Sequence, residues 1–543
     1  MTRRIDIPVL VVGAGPVGLG VGLELGWRGI DCLLIEREAH RETAINLHPR
    51  AAAVTPRTME FCRRWGVARA VHDSGFPKDL PNNIVYCTDL QGPTVLVQEF
   101  PAINDRPPLA VSPELRERCP QIWFDPTLER GLAQYPSVEL KRPWQLDRFE
   151  DRGDHVMAWV TDLSTDEAIE IRAKYLVACD GPTSPIREAL GIATTGPGLL
   201  SYSLNAILDI PDFLSWHDKG PAERYMFLDP RGVWAELTVI DGRDRWRLGY
   251  AGSTQSEDSG GVDVDAIVRK VLGPDVPFNI VALSPWRRRE SIASQFVKGR
   301  VLLAGDAAHT IPPNLGMGMN TGMGDAMDLA WKLEALLKGW GGPRLLETYD
   351  AERRPVAEHN AAVSTATYRR WMSSTDHYRD IGEPGDKGVQ ARRKSAEHIE
   401  QTLGEGWDTL GFQIGYRYDA SPVVVPDGTP APPPGRNLRD FTPTARPGAY
   451  APHAWLPDGR SLLDVFGKGY VLLRFDPAVK VDALRAAAEV RAVPLTVFDC
   501  EETSIAGLYE RKLVLVRPDA HIVWRADQLP EDSLALIDTV RGA

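Results

Sequence analysis

The sequence predicts an α/β protein: a doubly wound, Rossmann-like unit, a second β-sheet inserted into it, and a small α/β unit at the C-terminal end. Three observations predict this. The first is the stretch Ile5 to Glu36, IDIPVLVVGAGPVGLGVGLELGWRGIDCLLIE. In it an apolar run, Val9 to Val12, ends in Gly13-x-Gly15-x-x-Gly18, a helical pattern with Leu19, Leu23 and Leu25 follows, and a second apolar run, Cys32 to Ile35, leads to Glu36. The second is a pair of further apolar runs, Lys174 to Cys179 and Arg300 to Ala304, which end in Asp180-Gly181 and Gly305-Asp306. The third is the β-like region Tyr202 to Gly252 between them, read as YSLNAILDI, RYMFL, VWAELTVI and RWRLGYAG.

Each part of the first stretch has a mechanical reason. Gly13 permits a tight turn, Gly15 lets a pyrophosphate approach the backbone, and Gly18 lets the helix pack against the strand. The helix start offers unpaired N–H groups and the positive end of its dipole to phosphate. Glu36 is placed to accept hydrogen bonds from adenosine ribose hydroxyls. A glycine motif alone says little, but here strands, helix and acidic residue stand together, which points to a dinucleotide site. Strand ends of a doubly wound sheet converge on one crevice, so residues 13–18, 180–181 and 305–306 can hold a single extended ligand.

The remaining elements follow in order. Pro56 to Trp65 reads as a helix, preceded by a loop with His48 and Arg50, and Cys87 to Ser112 as short strands and loops. Gln121 stands ahead of a helix, Pro126 to Leu132, and Val138 to Val160 alternates as antiparallel strands about a turn at Asp151 to Asp154. Val264 to Val271 is a short helix. A long helix begins after Gly316-Met317-Gly318-Met319-Asn320, with Met323, Ala326, Ala330, Leu333 and Leu337 in helical period. A second, Tyr349 to Trp371, is interrupted at Pro355. Pro422 to Pro452 is a proline-rich wrapped linker. Beyond Leu456, strands at Tyr470, Leu495, Leu513 and Ile522 and a helix from Val481 to Arg491 give a β-α-β-β-β unit of about a hundred residues.

Composition bounds the function. At 43% hydrophobic and 25% charged residues the chain reads as an ordinary globular enzyme, and a net charge of −12 argues against nucleic acid or an anionic membrane as partner. No apolar run approaches a membrane span. The first strand starts within the first residues, leaving no room for a leader, and the six scattered cysteines form no CxxC or metal-ligand spacing. Reduced thiols in a cytoplasmic protein without metal are expected.

The segments VVGAGPVGLGVGLEL, ACDGPTSPIR, VLLAGDAAHTIPP and GMGMNTGMGDAMDLAWKL resemble, in order and spacing, the FAD-dependent aromatic hydroxylases, the single-component class A flavoprotein monooxygenases. The likeness covers Ile5 to Trp371. AWLPDGRSLLDVFG and LVLVRPDAHIVWRAD resemble the thioredoxin-like C-terminal domain of the phenol hydroxylase and 3-hydroxyphenylpropionate hydroxylase branch. The resemblance implies an FAD-binding domain at 1–380, a substrate-binding sheet inserted at about 85–120 and 200–290, a linker at 381–455 and a thioredoxin-like domain at 456–543 with a structural or homodimer role.

It also implies a reaction: NADH or NADPH reduces FAD, and O2 adds to give a flavin C4a-hydroperoxide that hydroxylates an aromatic, usually phenolic, small molecule. Carried over residue by residue, Gly13, Gly15 and Gly18 would hold the pyrophosphate, and Glu36, with Arg37 beside it, the adenosine side. Arg50 and Gln121 would contact the FAD chain, and Asp180 and Arg187 would support FAD and the nicotinamide cofactor. Gly305 and Asp306 would meet the ribityl hydroxyls, and Gly318, Met319 and Asn320 the isoalloxazine edge.

Two departures stand out: Met317 and Gly324 occupy positions where the family often has Gln, and no carboxylate stands near Ala52, where phenol hydroxylases carry an Asp. His48 is therefore a candidate proton acceptor, with Tyr225 or Tyr202 of the lid strands as the alternative. Asn205 and Trp234 are further candidates for the pocket wall, and His309 reads as a structural hydrogen-bonding residue. A halogenase is disfavoured, since neither a WxWxIP motif nor a Lys after the first glycines is present. An FAD-dependent oxidase or dehydrogenase of the same fold remains the rival.

Overall fold

A computed structural model describes residues 3–40, 52–251, 262–373, 376–433 and 435–543. The first sheet is built on four parallel neighbours. Strand β1 (Arg3–Val12) lies between β2 (Cys32–Ile35) and β3 (Glu167–Ala178), and β4 (Val301–Leu303) follows β3. Their last residues are in lateral register: Val12 lies beside both Ile35 and Ala178, and Ala178 beside Leu303. Val138–Lys141 adds in parallel to β2, a correction to the antiparallel reading of that segment. Two flanking strands, Trp144–Asp151 and Val156–Asp162, are antiparallel as expected.

Helix α1 (Pro16–Trp27) crosses from β1 to β2. Its glycines cost about 1 kcal/mol each in propensity but allow close packing: a Cβ on Gly20 would lie 2.8 Å from Met323 Sδ. Met323 belongs to α2 (Met317–Leu337), which lies antiparallel to α3 (Glu347–Trp371) in a helical hairpin. Helix α3 runs straight through Pro355 instead of stopping there. A proline forfeits one helical hydrogen bond, and here the residues just before it, Glu352 and Arg353, are held in place by buried ion pairs to Lys332 and Asp325 of α2. A similar override extends the helix read at Pro126: it begins at Gln121 and carries Pro126 inside it.

The inserted sheet has eight strands, ordered His309–Thr310, Asn279–Ala293, Thr194–Asp209, Arg245–Ala251, Gly232–Val239, Arg224–Asp229, Ile84–Cys87 and Thr94–Gln98. One face packs Tyr225, Phe227, Trp234, Trp246 and Leu248 against the helix Val264–Leu272. The C-terminal sheet orders Leu495–Asp499, Tyr470–Arg474, Leu513–Val516 and Ile522–Ala526, with one parallel and two antiparallel pairings. The proline-rich segment threads along it, Val425 N–H donating to Val523 O at 2.8 Å. None of the six cysteines is in a disulfide; five are buried and Cys179 is half-buried. Among the described residues no helix is long and apolar enough to cross a membrane.

Candidate active site

Because four parallel strands end in register, the residues that follow them (Glu36, Gly13, Asp180 and Gly305) leave the sheet along one edge. Gly13 has φ +101°, and a Cβ there would sit 2.3 Å from Cys179 O; one on Gly18 would sit 1.9 Å from Gly13 O. No other residue fits either position. Gly15 caps α1 without any side-chain cap, so the first-turn amides face the crevice. Glu36 closes over this turn, its Oε2 accepting from Ala14 N–H at 2.9 Å and Oε1 from Glu38 N–H at 3.1 Å. Arg37 lies exposed at the rim, 70% accessible along its side chain.

The second turn carries an unspent acceptor. Asp180 Oδ2 accepts from Ile186 N–H at 3.2 Å, while Oδ1 is buried with no partner. Burial pushes this carboxyl up from its ordinary value. Arg187 reaches from the same turn to the third, donating to Ala307 O at 2.9 Å and Pro182 O at 3.2 Å, so it staples the two loops together. Asp306 stands exposed at the tip of the third turn.

Helix α2 opens after Gly316, at φ +68°, and has no side-chain cap. Asn320 turns its side chain inward: Nδ2 donates to Gly316 O at 2.6 Å and Ala53 O at 3.0 Å, and Oδ1 accepts from Thr55 N–H and from the Thr55 and Thr58 hydroxyls. That lock leaves the backbone amides of the first turn as the groups facing outward. Asn314, just before the helix, has both side-chain polar atoms buried without a partner. The uncapped helix starts and the orphaned atoms of Asp180 and Asn314 fit a long phosphate- and hydroxyl-bearing ligand such as FAD. Gln121 is buried nearby at the start of its helix, its Nε2 donating to Asp125 at 3.0 Å. His48 and Arg50 lie outside the described residues.

Tyr225 requires correction. Its ring is wholly buried on the outer face of the inserted sheet, between Phe213 and Trp246, and its hydroxyl donates to Gly220 O at 2.6 Å. Burial raises its phenol far from any role as a proton acceptor near neutrality. Trp234 shares that face, and Tyr202, alternating with Asn205 along its strand, points the same way. His309 is structural as expected: buried, with Nε2 2.7 Å from Asp325.

The opposite face supplies residues the sequence reading missed. Arg224 donates to Glu236 at 2.8 Å, Arg247 lies 3.9 Å from the same carboxylate, and Arg288 stacks over Tyr368, whose hydroxyl donates to Ser201 Oγ at 2.7 Å. Although burial opposes it, Arg224, Arg247 and Arg288 together hold the Glu236 carboxyl below its ordinary range. Three guanidiniums thus surround one carboxylate. These side chains share the sheet face opposite the helix Val264–Leu272, and Arg118 ties the sheet to α2: it reaches Val239 O and Glu223 and pairs in a short ladder with Ala53, the residue bonded to Asn320. The charged positions alternating with apolar ones in RYMFL, VWAEL and RWRLG were the available signal, since a buried face seldom takes Arg and Glu.

The chain as a whole is similar to known proteins. The model of the FAD binding domain family matches residues 6–364, and that of the aromatic-ring hydroxylase C-terminal family matches 444–541. Tetracenomycin B2 monooxygenase-dioxygenase of Streptomyces olivaceus is 32% identical over 99% of this chain and 98% of its own. The rebeccamycin biosynthetic enzyme RebC, solved with reduced flavin, superposes with a TM-score of 0.91 at 37% identity, covering 100% of both chains. The flavin-dependent monooxygenase PieE, solved with FAD and substrate, gives 0.88 at 27% identity, again over the whole of both chains.

Proposed function

This chain belongs to the FAD-dependent aromatic-ring hydroxylases, and from that premise we propose that it uses NADH or NADPH and O2 in the cytoplasm to hydroxylate an acidic, phenolic aromatic small molecule. What supports this reading is the sheet face opposite the helix Val264–Leu272, where Arg224, Arg247 and Arg288 act together on Glu236; we place the substrate cleft there, beside the start of α2. Bound FAD supplies the redox and oxygen-transfer chemistry.

The protein's own part is binding, orientation and charge. The Gly13–Gly18 turn and the start of α1 take the pyrophosphate, Glu36 the ribose, and Asp306 the ribityl hydroxyls. The amides of Gly318 to Asn320 present partial positive charge to the isoalloxazine edge. In the cleft the excess guanidinium charge favours an anionic guest. A phenolate is a better nucleophile than a phenol, so this charge replaces the carboxylate missing near Ala52. His48 takes the phenolic proton when the substrate arrives neutral.

The test is NADH and NADPH oxidation stimulated by a panel of phenolic and polycyclic aromatics under ¹⁸O2, with product mass spectrometry. Incorporation of one labelled oxygen atom is expected. Hydrogen peroxide with no oxygenated product from any member would overturn hydroxylation in favour of an oxidase.

A further inference from the structure

Five ionisable side chains meet in the interior far from the strand-end crevice. Asp328 and Lys332 come from α2, Glu352 from α3, and Arg517 and Asp519 from the turn that follows the C-terminal strand Leu513–Val516. None is more than 1% exposed along its side chain. Arg517 donates to Glu352 at 2.6 and 2.8 Å, to Asp328 at 3.0 Å and to Asp519 at 2.7 and 2.8 Å. Lys332 completes the set, bonding Asp328 at 2.7 Å and Glu352 at 2.6 Å.

Docking alone does not call for such a cluster. Burying an ion costs several kcal/mol, and well-packed apolar residues in place of a buried pair are often neutral or stabilising. What such a cluster provides is directional: the planar Arg517 fork ties Glu352, Asp328 and Asp519 at fixed hydrogen-bond geometry.

Two routes run from this cluster to the candidate FAD site. Glu352 is followed in α3 by Arg353, which donates to Asp325 at 2.8 Å and to Thr321 O at 2.8 Å. Asp325 in turn accepts from Gly305 N–H at 3.0 Å, in the strand-end turn itself. The second route leaves Asp519 through His521, 3.1 Å away, whose ring stacks on Tyr418 with centroids 4.1 Å apart; Arg353 donates to the Tyr418 hydroxyl at 3.1 Å. Every side chain on both routes is buried.

We infer that the C-terminal segment clamps α2 and α3 through Arg517, which makes Arg517 a positioning residue for the flavin: it fixes where the amides of Gly318 to Asn320 and the Gly305–Asp306 turn stand. The inference rests on the FAD assignment. Helix-start amides favour the anionic reduced flavin over the oxidised one, so a slipped α2 weakens the reduced form more.

The test compares the holoenzyme with Arg517→Met and Arg517→Lys, the latter keeping the charge but losing the planar fork. Lys468→Met is the control, because Lys468 joins the C-terminal unit to the end of α1 at Trp27 O and not to α2 or α3. FAD affinity, flavin midpoint potential and urea midpoint are measured for each. Both Arg517 variants should bind FAD about tenfold more weakly and shift the potential by about −30 mV, the equivalent of tenfold for a two-electron couple. Lys468→Met should lower the urea midpoint only. In the wild type, FAD should also slow hydrogen exchange at the amides of Arg517, Ala520 and His521 by about threefold or more. Wild-type potential and affinity in Arg517→Lys, an equal shift in Lys468→Met, or unchanged exchange would each overturn the clamp. Wild-type protein that takes up no FAD would instead overturn the cofactor assignment beneath it.

Discussion

Arg288 shows what one side chain of the cleft is expected to do. Its guanidinium lies over Tyr368 and acts, with Arg224 and Arg247, on the Glu236 carboxylate. A hydrogen bond to a charged group is worth about 1.5–3 kcal/mol. Arg288→Met should therefore lower kcat/KM for an ionisable phenol about tenfold or more, with little change for a neutral aromatic; equal losses for both would separate Arg288 from substrate charge. His453 carries a different kind of consequence. Burial, with Arg63 nearby, holds its imidazole down to about 4 from 6.5. The unfolded chain therefore takes up this proton before the folded one does. The stability it contributes is whole above about pH 6.5 and is lost as pH falls toward about 4. Denaturant titrations at about pH 7 and about pH 4.5 should show the wild type losing more stability than His453→Asn; parallel losses would exclude the effect.

Among elements, α2 depends most on the residue that caps its start. Gly316 sits at φ +68°, where a side chain costs about 1–2 kcal/mol. A Cβ there would only touch Ala53 Cβ at 3.4 Å, so strain and not collision is the penalty. Gly316→Ala should lower the urea-derived stability by about 1–2 kcal/mol and weaken FAD binding, because Asn320 locks onto the Gly316 carbonyl; an unshifted FAD titration would show that the helix start tolerates resetting. The glycine turns were readable in the sequence because their constraints are local: a Cβ on Gly18 would strike Gly13 O within the motif itself, one on Gly13 would strike the adjoining strand at Cys179 O, and the motif spans six positions. Tyr225 was not readable. Alternation shows that a strand has two faces, not which one meets the ligand, and only the helix Val264–Leu272 decides it. Pro126 and Pro355 misled for the opposite reason, since buried contacts overrode a local rule.

At the scale of the whole molecule, the C-terminal unit and α2 share one interior, in which Trp331 and Ala335 pack with Tyr470 and Leu515. Arg517 meets Glu352 across 165 positions of sequence and Asp328 across 189, a separation no motif spans, which is why the cluster could not be anticipated. Such coupling predicts one cooperative transition. Ligand present at a hundred times its dissociation constant stabilises by about 2.7 kcal/mol, so stripping FAD should lower the melting midpoint of the entire chain at once. A C-terminal transition that stays put when FAD is removed would show two independent bodies.

Five of the six thiols are buried and Cys179 is half-buried, and burial pushes those of Cys87 and Cys119 up to about 12. Peroxide attacks thiolate, not thiol. An oxygen-activating catalyst that misfires releases peroxide into its own surroundings, and here the usual first casualty is withheld. Vulnerability passes to sulfur of another kind: Met319, half-buried in the opening turn of α2. After long turnover with reductant but no aromatic, peptide mass spectrometry should find the sulfoxide at Met319 before any oxidised cysteine. The lifetime of the catalyst would then be counted in misfires survived at a single thioether.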